Sequence, residues 1–361
     1  MIAEPLGSAT GKTNDEPNYE TGDICYPSTI DPIGNLHAKY AYYTNAPKLP
    51  VVVLVHGFVE NANSMTSCIM EDMAHYGLFA VSVGMRGRNG ASGAPDVSGR
   101  ELHDIYDLVR FLKANFSDVV DPDNIHCSGY SGGGGNVLGL AVKFPDTFQN
   151  YVAHFGISDY GYEEQIGWWY THPSRQTVLT DWIGFTPDTN PGAYRSRAHH
   201  LGVGKNLQGG KLWVFHDQDD SSVSVSQSQA IADGMDLESN PRYMLSITDE
   251  TDRIRWLHNS PHADAPVRNS RNYWGPTILN GEIDAWTMPA SGSVFVQGYM
   301  VTKRFSVWLG NGQEHVAELV YDTRKDSYRV TPLSGAVEVS ITQDGKSATQ
   351  TVNGETTITV S

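Results

Sequence analysis

The residues of this chain best suited to chemistry lie in Gly129-Tyr130-Ser131-Gly132-Gly133, a G-x-S-x-G pattern that occurs once in the sequence. Asn124 to Ser128 reads as a buried strand leading into it, and Gly132 to Ala141 reads as a helix leading out, with small residues that permit close approach to a sheet. Ser131 is then the tip of a sharp strand-to-helix turn, a nucleophile elbow. Glycines flank it because a Cβ at those positions would clash in so tight a turn. The helix that follows points free NH groups and the positive end of its dipole at a reacting carbonyl oxygen.

A serine hydroxyl is a poor nucleophile, so acyl transfer requires a base within hydrogen-bond reach and a carboxylate to hold that base in the right tautomer. In the elbow arrangement the chain order is serine, acid, histidine. The acid falls in His216-Asp217-Gln218-Asp219-Asp220-Ser221-Ser222-Val223, where Asp220 is favoured and Asp217 and Asp219 are alternatives. The base falls in the loop after the last strand, where His258 is preferred for its nearness to the strand end and His262 stays open. The developing oxyanion needs two backbone NH groups, and Phe58, after the run Val51 to Val55 and His56-Gly57, together with Gly132 can supply them. This chemistry calls for no cofactor. A metal is not expected either, because Pro261 interrupts the only His-x-x-x-His spacing near the candidate base.

The elements that must position these groups alternate between strand-like and helix-like segments from the N-terminus to about residue 290, as a sheet covered by helices on both faces requires. Entry strands are expected at 23–26 and 37–43, and buried strands at 51–55, 79–83, 124–128, 151–155, 211–215 and 243–247. Helices are expected at 63–76 and 101–116. Between the strands near 155 and 211 lies an insertion too long for an ordinary connection. It carries Trp168, Trp169, Tyr170, Trp182, Phe185 and Tyr194, which would pack it onto the core, line an acyl pocket, or do both. From about residue 292 the apolar period changes to two, punctuated by Gly310-Asn311-Gly312, Asp344-Gly345 and Asn353-Gly354, which predicts a small antiparallel β-sandwich of roughly seven strands.

Composition narrows the partners. The net charge of −16 argues against nucleic acid and anionic membrane surfaces, both of which need clustered Lys and Arg. No apolar run approaches the ~20 residues that cross a bilayer. No secretory signal is evident at the N-terminus, and Cys25, Cys68 and Cys127 are too few to pair completely, so a cytoplasmic location is expected. The partner expected is a small-molecule ester.

Four stretches together, His56-Gly57-Phe58, Arg86-Gly87-Arg88-Asn89-Gly90-Ala91-Ser92-Gly93, Gly129 to Gly133 and His216 to Val223, resemble the α/β-hydrolase superfamily, and within it the prolyl oligopeptidase-like serine hydrolases and related carboxylesterases. The resemblance covers residues from about 20 to 270. It implies an α/β-hydrolase fold over 1–290 with a cap insertion at about 160–210, followed by a β-sandwich over 291–361. It also implies Ser131 as nucleophile, Asp220 as acid, three residues before Val223 as in the family's Asp-x-x-Val, and His258 or His262 as base. The sequence departs from the family in having His216-Asp217 where His-Gly is usual, and in leaving no room for an N-terminal propeller. The second departure favours an esterase over a propeller-gated peptidase. A serine aminopeptidase of the same fold is the alternative. A different class is a glycan- or surface-binding protein that uses Trp308 and Tyr321 of the β-region.

Overall fold

A computed structural model describes residues 18–44, 48–66, 69–88, 90–256, 260–280 and 287–361. The apolar runs become the middle of a sheet. β1 (Tyr19–Pro27), β2 (Asn35–Tyr43), β3 (Leu49–Val55), β4 (Phe79–Gly84), β5 (Val120–Tyr130), β6 (Asn150–His154), β7 (Lys211–Asp217) and β8 (Tyr243–Thr248) form eight strands in the order β1-β2-β4-β3-β5-β6-β7-β8. β1 and β2 enter antiparallel, and β3 to β8 run parallel. Val51 to Val55 and Phe79 to Val83 are buried on both faces, as continuous Val and Leu runs in a central parallel strand should be.

Helices cover the sheet. α1 (Ile69–His75), α2 (Glu101–Asn115) and α3 (Gly132–Lys143) come first; α2 buries Leu102, Ile105, Leu108, Val109 and Leu112 at helical spacing. The single helix expected at 63–76 is divided. Asn61 accepts from Asn63 NH and closes a capping box with Ser64, so a 3₁₀ turn over Ala62–Met65 precedes α1.

The insertion between β6 and β7 holds α4 (Trp168–Thr171), α5 (Gln176–Ile183), α6 (Pro191–Arg195) and α7 (Val203–Asn206). It carries its own apolar cluster of Trp168, Leu179, Ile183, Ala193 and Tyr194, which takes in Phe58 and Val223 of the main body. α8 (Ser226–Leu237), α9 (Glu250–Trp256) and α10 (Asp264–Tyr273) complete the layers.

The C-terminal region forms a second, wholly antiparallel sheet of eight described strands rather than about seven. They are β9 (Ser291–Gln297), β10 (Tyr299–Val301), β11 (Ser306–Leu309), β12 (Val316–Asp322), β13 (Ser327–Pro332), β14 (Val337–Gln343), β15 (Lys346–Val352) and β16 (Thr356–Thr359), in the order β15-β14-β11-β10-β9-β12-β13-β16. The end strands β15 and β16 come into contact, so the sheet folds over a core that includes Val294, Val307, Leu319, Val339 and Ile341. This is an α/β-hydrolase fold followed by a β-sandwich. Tyr321 is buried in the sandwich core, and Trp308 stacks on Tyr299 with centroids 4.5 Å apart at 11°. Both aromatics therefore serve packing.

Candidate active site

Ser131 follows β5 and caps α3 with φ 55° and ψ −119°, a conformation that side-chain-bearing residues rarely adopt. The glycines around it are required by contact. A Cβ on Gly129 would lie 2.1 Å from the Gly133 carbonyl oxygen, and one on Gly133 would lie 2.1 Å from that of Val55. The strained turn is thus wedged between strand ends, and Ser131 NH donates to His154 O at 3.0 Å.

The ends of β5 and β7 and the start of the α10 segment converge. Ser131 Oγ lies 3.1 Å from His262 Nε2, and His262 Nδ1 lies 2.7 Å from Asp220 Oδ2. In the neutral ring, Nδ1–H donates to Asp220 and Nε2 accepts from the serine hydroxyl. Asp220 is held from several directions: Oδ1 accepts from Ser222 NH at 2.8 Å and Val223 NH at 3.0 Å, and His216 Nε2 stands 3.3 Å from Oδ2. Burial pushes this carboxyl's pKa up, but hydrogen bonds from His216, His262 and Val223 NH outweigh it and hold the group well below the usual carboxylate range. Asp220 stays ionised.

The competing acids are engaged elsewhere. Asp217 pairs with Arg253 and accepts from Thr248 Oγ1 at 2.8 Å, while Asp219 binds Arg253 at 2.5 Å. His258, the preferred base in the sequence reading, lies outside the described residues, and His262 is the histidine found on Ser131. Phe58 and Gly132 meet directly: a Cβ on Gly132 would lie 2.7 Å from Phe58 N. Gly132 opens α3, so its NH has no acceptor within the helix. The Phe58 loop is braced by Glu60, whose carboxylate accepts from Gly57 NH at 3.1 Å and whose own NH donates to Gly57 O at 3.1 Å.

These groups open onto a cavity of about 680 Å³ whose walls include Phe58, Met65, Phe155, Trp168 and Val267. The cap aromatics divide their work: Trp168 lines the cavity, whereas Tyr194 is buried in the cap's cluster. Phe58 links the two, stacking on Trp182 at 4.7 Å and meeting Trp168 edge-on at 5.2 Å.

Two contributors escaped the sequence reading. His216 supports the acid, donating from Nε2 to Val223 O at 2.8 Å, with Nδ1 2.6 Å from Ser228 Oγ. The available signal was its place at the end of the strand before the acid. Phe155 has φ 41° and sets its ring 4.6 Å from that of His262; no residue pattern announces that backbone. Arg86, which opens the Arg-Gly motif, proves to be a brace, donating to both Asp104 oxygens at 2.6 and 2.7 Å and to Asp31 at 2.7 Å.

The parallel sheet with a strained serine at its elbow defines a serine hydrolase of the α/β-hydrolase superfamily. More narrowly, the chain belongs to the prolyl oligopeptidase family, whose model matches residues 77–264. Among solved structures, an acylaminoacyl peptidase from Pyrococcus horikoshii is similar at 20% identity and a TM-score of 0.55, covering 75% of this chain and 43% of that one. A putative dipeptidyl aminopeptidase IV from Bacteroides ovatus is similar at 21% identity and 0.54, covering 71% and 35%. Esterase B from Lactobacillus rhamnosis is similar at 16% and 0.50, covering 66% and 77%. At these identities the likeness is one of fold, and the chain spans less than half of either peptidase. No curated protein matches the sequence.

Proposed function

We propose that this chain is a serine carboxylesterase that hydrolyses small-molecule carboxylic esters through an acyl-enzyme. Ser131 is the nucleophile, His262 the general base, Asp220 the orienting carboxylate, and the Phe58 and Gly132 NH groups the oxyanion donors. The observation that carries this reading is the unbroken hydrogen-bonded line from Ser131 Oγ through His262 to Asp220 at 3.1 and 2.7 Å. Ser131 Oγ adds to the ester carbonyl as its proton passes to His262 Nε2. The carbonyl oxygen, now negative, moves toward the two NH groups. Collapse of the tetrahedral species expels the alkoxide, which takes the proton from His262. Water then repeats the sequence, giving the carboxylic acid and free Ser131. The apolar wall of Phe58, Phe155 and Trp168 suits an acyl chain.

The family match supports a second reading, cleavage of aminoacyl amides by the same groups. Turnover of p-nitrophenyl esters and of aminoacyl p-nitroanilides by the wild type and Ser131→Ala tests both. The esterase reading expects ester turnover in the wild type alone. Turnover of the amides without the esters would replace it with the peptidase.

A further inference from the structure

The C-terminal sandwich meets the cap insertion along β9, where Asn206 of α7 exchanges hydrogen bonds with the Phe295 backbone, and again at the loop between β11 and β12, which meets α6. Asn190, which caps α6, donates from Nδ2 to Glu314 Oε2 at 2.8 Å. Arg197 donates from Nη1 to Gln313 O at 3.1 Å and from Nη2 to Gln313 Oε1 at 3.3 Å, and the Ser196 hydroxyl also donates to Gln313 O. From β9, Gln297 Nε2 donates to Arg195 O at 2.8 Å and Ala198 O at 2.7 Å. The approach is tight enough that a Cβ on Gly192 would lie 2.2 Å from Glu314 O.

The loop is itself stiff. Asn311 Oδ1 accepts from Gln313 NH at 3.0 Å, and Asn311 Nδ2 donates to Glu314 Oε1 at 2.5 Å. Its Gly312 has φ 79° and packs against the Trp308 ring.

The opposite side of α6 faces the active site through the cap. Ala193 and Tyr194 are buried in the cluster that contains Trp168 and Phe58, and Tyr194 meets Trp169 edge-on at 5.8 Å. Trp168 lines the cavity, and its indole NH donates to Ser222 O at 3.1 Å, two residues from the acid. Close-packed clusters transmit displacement, because side chains have no free volume into which to relax. α6 is therefore held between a rigid loop of the sandwich and the aromatic wall of the pocket.

We infer that Gln313 and Glu314 are positioning residues that set which acyl chains the Ser131 pocket accepts, by fixing α6 and through it Trp168. The inference rests on the assignment of that pocket to the acyl group. It gives the sandwich a part in specificity that requires no ligand of its own.

The test uses the full chain and two alkyl phosphonofluoridate probes, methyl and octyl, that react with Ser131 whether the natural substrate is an ester or an amide. The rate of Ser131 modification is measured in the wild type, Gly192→Ala and Glu314→Ala, with Thr349→Ala on β15 as control. Gly192→Ala drives α6 toward the pocket, so the octyl rate is expected to fall about five-fold or more, with the methyl rate within about two-fold, a size ordinary for pocket-shape discrimination. Glu314→Ala frees Asn190 and is expected to raise the octyl-to-methyl ratio. Thr349→Ala is expected to leave it unchanged. Ratios unaltered in the two cap-contact variants would overturn the inference, as would an equal change in Thr349→Ala. Failure of either cap-contact variant to fold leaves the other to decide. A wild type that reacts with the probes but turns over no ester would defeat the esterase reading alone. Lack of reaction with both probes would defeat the inference together with the assignment of Ser131.

Discussion

Two polar clusters in this molecule each pair a buried aspartate with a nitrogen donor and behave in opposite ways. The Ser131–His262–Asp220 line runs single-file to a cavity, and its middle member keeps 29% of its side chain exposed. The second cluster, where α2, the cap and the sandwich meet, is sealed. Arg197 is fully buried and its guanidinium donates to Val97 O, Ala193 O, Gln313 O and Asp96 Oδ1. Arg86 grips Asp104 by both oxygens. The sealed cluster spends its donors on fixed acceptors and so braces the fold. The open line leaves one proton free to move. Burial and saturated donors mark the support, and a partly exposed line ending at a cavity marks the reactive site.

The comparison is broken most severely at the nucleophile. Ser131→Ala is expected to lower kcat by about 10⁶-fold while leaving the melting temperature unchanged, because no fold contact depends on the hydroxyl. Steady-state ester hydrolysis and thermal melting check both halves. Next in size, Asp220→Asn should lower kcat by about 10⁴-fold with little change in KM, since the amide no longer favours the required tautomer of His262.

In the sealed cluster the effects move from rate to stability. Arg197→Met should cost about 3–5 kcal/mol in urea unfolding by leaving Asp96 buried without its partner, and Asp96→Asn in the same chain should return part of the loss. The smallest effect separates the clusters by pH. Burial, reinforced by the nearby Arg197 charge, holds the Lys143 pKa down at about 7 from its ordinary 10.5. The unfolded chain therefore binds more protons than the folded one between those values, so this group makes stability rise from about pH 7 to about pH 10.5. Lys143→Met should raise the melting temperature at pH 6 more than at pH 10, which parallel melts would show.

Much of the sheet was legible because its physics is local. Val51 to Val55 and Phe79 to Val83 are apolar without alternation, and only a strand covered on both faces tolerates that. The elbow was legible because Gly129, Gly132 and Gly133 occupy positions where no Cβ fits. The sandwich's eighth strand was not: β10 is three residues long and is set off from β9 only by Gly298 at φ 80°, with no run of turn residues to mark it. The choice between histidines was equally hidden. It depends on how far the chain travels after β8, and α9 carries it past the strand end before returning His262 to Ser131. His216 and Phe155 contribute through long-range contacts that leave no local pattern.

The most direct test of the central claim is covalent labelling of Ser131 by a fluorophosphonate in the wild type, His262→Ala and His258→Ala, located by peptide mass spectrometry. The account predicts rapid labelling at Ser131 in the wild type and in His258→Ala, and loss of that labelling in His262→Ala. Labelling that survives in His262→Ala and disappears in His258→Ala would contradict it.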